Sequence, residues 1–178
     1  ENAGAAEAAD LDVDFGGVPT VSATGVGTIT IHAGRSFSFT DGAGAGGTGT
    51  SAASILDAME YLISTDAGDV VLTASQDIHL DRIDVNADAT GAAGTIIVNA
   101  DSDSTGTGII SDTLDGEGAN LTGSAAALRA AQGIGTGPTG SDINTSISTI
   151  SATNEISGDT QINNGSGTDL TIGSVDSL

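Results

Sequence analysis

The chain is 178 residues long, enough for one domain with a sizeable core. Aromatic residues make up 2% and neither cysteine nor tryptophan occurs, which excludes a disulfide framework and a core built on large rings. Lys+Arg number 3 against 24 Asp+Glu, a formal net charge of −21, so nucleic acid and anionic lipid are excluded as partners for want of cations to meet their phosphates.

Hydrophobic residues still supply 38%, and they are ordered along the chain rather than scattered, which argues for a folded body. No apolar run reaches the roughly 18 residues that span a bilayer, so membrane insertion is not expected. The sequence starts at Glu1 without a methionine and stops at Leu178 inside a strand-like pattern, which reads as a piece of a longer polypeptide. Absence of thiols suits a secreted protein or one on a bacterial cell surface.

From the N-terminus, Leu11, Val13 and Phe15 alternate with Asp10, Asp12 and Asp14, the pattern of a strand with one dry and one acidic face. Thr28 to Ala33 and Ser36 to Thr40 read as further strands, and the glycine-rich stretch 42–50 as a loop. Ile55, Leu56, Met59, Leu62 and Ile63 then fall at helical spacing behind Ser54 and Asp57, which resemble a capping box. They predict a short inserted helix or arm near residues 52–63. Residues 1–67 thus form an N-terminal β segment carrying that loop and helix, continuous with the coils of residues 68–178.

From residue 68 to 178 short aliphatic or Thr-rich runs recur between turn residues: Val70 to Ala74, Ile78 to Val85, Thr95 to Asn99, Ile109 to Ser111, Ser146 to Ala152, Thr160 to Asn163 and Leu170 to Ile172. The apolar parity slips by one across Asp81-Arg82, and again between Ile147 and Ile150, as it does where a strand rounds a corner and keeps its apolar side inward. Gly68 to Ala74 is echoed by Gly94 to Ala100 with a shift of 26 residues, and Gly27 to Ala33 matches the first with a shift of 41. Corners without hairpin chemistry, together with these echoes, predict an all-β, right-handed parallel β-helix, that is a β-solenoid. Its interior is expected to hold Val70, Leu72, Ile83, Val85, Ile96, Val98, Ile147 and Ile162. For 121–135, alanine content argues a helix stopped by Gly133, whereas the alternation of Ala126, Leu128 and Ala130 argues a strand. Strand is favoured, because alanine fits a tight solenoid wall.

The stretch Leu121 to Thr136, with Ile143 to Asn154 and Ser157 to Asn164, resembles the filamentous-haemagglutinin-like repeats of large secreted bacterial exoproteins and adhesins, over roughly residues 68–173. That resemblance implies a right-handed parallel β-helix, export across the outer membrane, and a role as an adhesin or a rod presenting other domains. No N-terminal secretion motif of the family is found, and residues 1–67 match the repeats poorly.

Among residues able to carry chemistry, Asp101, Asp103, Thr105 and Gly106, with Asp112 at the twelfth place, keep the spacing of an EF-hand-like calcium loop. Gly108 stands where an aliphatic belongs, and a polar turn is the competing reading. Otherwise no cofactor is expected. Catalysis finds little support: lysine is absent, the cluster Asp81, Arg82 and Asp84 reads as a surface ion pair, and His32 and His79 have no second ligand at metal spacing. Asn86, Asn99, Asn154, Asn163 and Asn164 sit near strand ends, where amides of neighbouring coils could stack as a ladder, and Asn120, Asn144 and Asn164 satisfy the glycosylation sequon.

The expected function is therefore structural or adhesive, a rod or fibre segment and not an enzyme. Its partners would be copies of itself, head to tail, or glycans and proteins of a host or cell surface. Leu11, Val13 and Phe15 at one end and Leu170, Ile172 and Val175 at the other are the self-association candidates. The alternatives are a carbohydrate-active enzyme, a polysaccharide lyase or hydrolase on the same fold, and an acidic, salt-adapted surface-layer or matrix protein.

Overall fold

The fold is that of a computed structural model, which describes residues 13–14, 20–23, 26–34, 37–38, 62–89, 93–112, 118–136, 142–165 and 169–177. Among them all regular structure is β, with strands numbered in chain order. One sheet holds β1 (Val13–Asp14), β4 (Phe37–Ser38), β7 (Ile78–Leu80) and β10 (Ile110–Asp112). A second holds β2 (Thr20–Ala23), β5 (Leu62–Thr65), β8 (Arg82–Asp84), β11 (Leu121–Thr122), β13 (Ile143–Ser146) and β15 (Ile162–Asn164). The third holds β3 (Ile29–Ala33), β6 (Val70–Ala74), β9 (Thr95–Ala100), β12 (Ala125–Ala130), β14 (Thr149–Asn154) and β16 (Thr171–Ser177).

Every pairing is parallel. Parallel neighbours need a crossover between them, and here each sheet's crossovers are the strands of the other two. The chain visits the first, second and third sheets in rotation, and each visit adds one strand beside the last. Where the first sheet runs out of strands, single parallel bridges from Ile110 to Ile134 and from Ile134 to Thr160 carry it on. The order is consistent with a β-solenoid. Strands from the first 67 residues lie in the same sheets as the later ones, β2 on β5, β3 on β6 and β4 on β7.

The repeats seen in the sequence are the registers of the third sheet. Ile29 lies beside Val70 and Val70 beside Ile96, shifts of 41 and 26. The parity slips are corners: Asp81 separates β7 in one sheet from β8 in the next, and Ile147-Ser148 separates β13 from β14. Strands β11 and β12 settle the alanine-rich segment as β. The inserted helix fares differently. Residues 52–61 lie outside the described residues, but Leu62 and Ile63 open β5, and Ile63 is fully buried beside Ile83. Pairing with β8, a long-range constraint, overrides the helical spacing of those two.

Inward residues stack in columns. One runs Ile29, Val70, Ile96, Ala126, Ile150, Ile172, and its neighbour Ile31, Leu72, Val98, Leu128, Ala152. Where alanine enters one column the other carries a larger aliphatic at the same level, Leu128 with Ala126 and Ile150 with Ala152, which keeps those levels filled. Val70, Leu72, Ile83, Val85, Ile96 and Val98 are fully buried, Ile147 almost so, and Ile162 packs against the same core.

The corner between the second and third sheets imposes the tightest requirement. A Cβ on Gly68 would lie 1.9 Å from the Gly27 carbonyl oxygen, and one on Gly94 2.1 Å from that of Gly68. Backbone meets backbone there, so no side-chain movement relieves the contact. At the next levels Ser124 and Ser148 take the position, with Ser124 Oγ donating to the Gly94 carbonyl at 2.8 Å and Ser148 Oγ to that of Ser124 at 2.8 Å. Gly94→Ala is expected to cost about 2–3 kcal/mol or more in chemical denaturation, as overpacking against an unyielding group does. Gly165→Ala, with nothing within 4 Å of its added Cβ, should stay within about 0.5 kcal/mol of the parent.

Candidate functional site

Polar side chains are spent mainly between levels. On the outer face of the third sheet one column runs His32, Thr73, Asn99, Arg129, Thr153. His32 Nδ1 and Thr73 Oγ1 are 2.6 Å apart. Arg129 spans three levels: Nε and Nη2 donate to the two carboxylate oxygens of Glu155 at 2.9 and 2.6 Å, and Nη1 donates to Asn99 Oδ1 at 3.0 Å and to the Asp101 carbonyl at 3.2 Å. This bidentate geometry needs a guanidinium, which lysine lacks.

An amide ladder does join neighbouring levels, through Asn163 and Asn164 of the expected set together with Asn120 and Asn144. Asn120, wholly buried, donates from Nδ2 to the Asp81 carbonyl at 2.9 Å and to Asp112 Oδ1 at 2.5 Å, and its Oδ1 accepts the Asn144 N–H at 2.8 Å. Asn163 Nδ2 donates to Asn144 Oδ1 at 3.0 Å. Asn164 ties in alongside, its Oδ1 accepting from Thr145 Oγ1 at 3.1 Å. By contrast Asn99 serves Arg129, the Asn86 N–H donates to Asp84 Oδ1, and Asn154 donates to the Gly158 carbonyl. Two sequon asparagines, Asn120 and Asn144, are buried in the ladder, out of reach of any modifying enzyme.

The calcium spacing resolves into separate jobs. Asp101, 1% exposed, takes a left-handed conformation at φ 69°, and its Oδ1 accepts the N–H groups of Thr105 and Gly106 at 2.8 and 3.0 Å. Asp103 Oδ1 accepts from Thr105 Oγ1 at 3.0 Å. The structure thus brings Asp101 and Asp103 together on Thr105, and places Asp112 on β10 against Asn120. Among the described residues no three His, Asp or Glu side chains form a group able to hold a metal. Asp81, read from sequence as half of a surface ion pair, is 6% exposed, because it sits at the corner where the chain leaves the first sheet. No constellation of nucleophile, base and acid emerges from these contacts.

What remains unspent is the interior at the last level. Ile172 is 61% exposed although its column mates Val70, Ile96, Ala126 and Ile150 are 0–3% exposed. Leu170 and Ile162 are half-buried against the core, and Val175 holds the position beside Ala152. At the opposite end Val21, Ile29 and Ile31 are half-buried too. Val13 lies in β1, paired to Phe37. Leu11 and Phe15 lie outside the described residues.

The chain matches no protein-family model, no curated protein and no solved structure. The reading of its site therefore rests on geometry. Sequence reasoning missed the glycine seam, the Arg129 clamp and two of the ladder asparagines. Repeated glycine at matching places of the echoes, Gly27, Gly68 and Gly94, was the available signal for the first.

His79 offers a pH test of the packing between levels. Its Nδ1 lies 2.6 Å from Ser111 Oγ on the adjacent strand. Burial lowers its pKa from the ordinary 6.5, and the nearby Asp77 carboxylate opposes that only in part. The unfolded chain then binds the proton more readily than the native one, so this contribution is full above pH 6.5 and is lost as pH falls through the native pKa. Denaturation followed from pH 7.5 to 5.5 should show a slope, at most about 1.4 kcal/mol per pH unit, that is reduced in His79→Gln. Equal slopes in parent and variant would contradict the assignment.

Proposed function

We propose that the three sheets close into a right-handed parallel β-helix and that this helix is a structural or adhesive module. In this reading the chain is a rod or fibre segment of a secreted bacterial surface protein and not an enzyme. It stacks head to tail on copies of itself, and its flanks or exposed turns meet glycans or proteins of a cell surface. The observation that carries the proposal is the 61% exposed Ile172 at the end of a column whose middle members, Val70, Ile96, Ala126 and Ile150, are closed to solvent. Burying such a side chain contributes about 1.5–3 kcal/mol, and the surface able to supply matching aliphatics and a strand edge is another coil.

Several features support the same reading. The phrases that resemble filamentous-haemagglutinin-like repeats fall on β11 to β15. Histidine, arginine and asparagine groups that could serve catalysis are engaged between coils instead. A net charge of −21 makes the flanks repel each other and directs association to the ends.

Negative-stain micrographs and light scattering test the proposal. Unbranched filaments are expected at 0.3 M sodium chloride and shorter ones at 0.01 M, where the Debye length reaches about 30 Å. Calcium chloride at matched ionic strength should act as sodium chloride does, since no cofactor is invoked. Ile172→Asp should abolish the filaments while leaving the β-type circular dichroism intact. A monomer at every salt and protein concentration would defeat the proposal, and a saturable gain specific to calcium would restore a site at Asp101, Asp103 and Asp112.

A further inference from the structure

Resting on the head-to-tail reading, we infer that the contact between copies is strand pairing in register: β16 takes the next copy's β3, β15 takes its β2, and β1 of that copy follows Thr160 in the first sheet. The rotation of strands leads to this. The last described level places β15 in the second sheet and β16 in the third, and the first described strand, β1, belongs to the first sheet. Appending β1, β2 and β3 after β16 therefore continues the rotation without a missed or doubled sheet. No described strand lies beyond β16 or before β3 in the third sheet, nor beyond β15 or before β2 in the second.

Column chemistry agrees with that register. Extended by one level, the interior columns place Ile29 of the next copy, half-buried, on the exposed Ile172, and continue the register so that its Ile31 follows the position of Val175. The same register places its Thr28 beside Thr171. At the glycine corner, Gly27 of the next copy comes over Leu170. Its corner column, Gly27, Gly68 and Gly94 followed by Ser124 and Ser148, holds only small residues up to that point. The contact is heterologous, so it propagates instead of closing a pair.

Since the chain has no cysteine, engineered thiols report the register directly. Thr28 and Thr171 are both exposed and stand five levels apart within one chain, roughly 24 Å at about 4.8 Å per level, too far for an internal disulfide. Across the inferred junction they become neighbours at about 4.8 Å. The double variant Thr28→Cys/Thr171→Cys, oxidised in 0.3 M sodium chloride, should run on non-reducing gels as a ladder extending well past dimer. Each single variant, and the mid-stack control Thr73→Cys/Thr171→Cys, should remain monomeric on the same gel. Dimers from a single variant would show like ends meeting and overturn the inference. Filaments in the micrographs without a ladder would overturn the register while leaving head-to-tail assembly standing, and absence of both would remove assembly itself.

Discussion

Parallel pairing between successive levels is the constraint on which the rest of this molecule depends. A strand in a parallel stack satisfies its backbone groups on the levels before and after it, and a buried amide left unpaired costs about 1–3 kcal/mol. Register therefore propagates: once Val70 faces Ile96, residues two apart on both strands face each other, and the third sheet carries the same alignment from β3 to β14 until a shift of one residue after Ile150. Columns follow from register, and both the dry interior and the polar seams follow from columns. Interactions run chiefly from level to level, as in repeat proteins whose stability is a sum of unit and nearest-neighbour contributions.

Composition makes sense within that constraint. Among the described residues the buried hydrophobic core is made of Ala, Val, Ile and Leu, in keeping with the 2% aromatic content of the chain. Charge is handled differently on the outside. Acidic groups are allowed to repel across the flanks, while Arg129 is placed where it draws Glu155, Asn99 and the Asp101 carbonyl onto one guanidinium. Amides and hydroxyls do the equivalent work in the second sheet, where the inward column passes from Val21, Ile63, Ile83 and Leu121 to Thr145 and Asn164. That polar turn of the column is tolerated because Thr145 Oγ1 and Asn164 Oδ1 meet each other at 3.1 Å.

Much of the fold was legible in the sequence, because register in a parallel stack is a translation along the chain. The 26- and 41-residue echoes equal the pairing of Val70 with Ile96 and of Ile29 with Val70, and the parity slip at Asp81 marks a corner. Local pattern failed where a distant partner decides. Leu62 and Ile63 fit a helical stripe until β8 is brought beside them. Asn163 and Asn164 were legible as ladder members, but Asn120 and Asn144 were not, because Asn120, Asn144 and Asn163 are spaced unequally along the chain and only the varying loop lengths bring them into line. At the calcium-like spacing of Asp101, Asp103 and Asp112 the spacing describes a loop but not its internal bonds, and Asp101 accepts the N–H groups of its own turn. For the ends, the alternation near Leu170 and Ile172 marked a terminal strand with apolar residues available for association, while the 61% exposure of Ile172 could be read only from the stack.

Amide hydrogen exchange followed by mass spectrometry tests the level-by-level account most directly. In dilute monomer at low salt, protection should be greatest in β6, β9 and β12, which have a paired strand on both sides, and should fall through β14 to β16. On assembly at high salt β16 and β3 should gain protection while the central strands stay unchanged. Uniform protection from β3 to β16 in the monomer, or protection gained on assembly along the flanks and not at the ends, would contradict it.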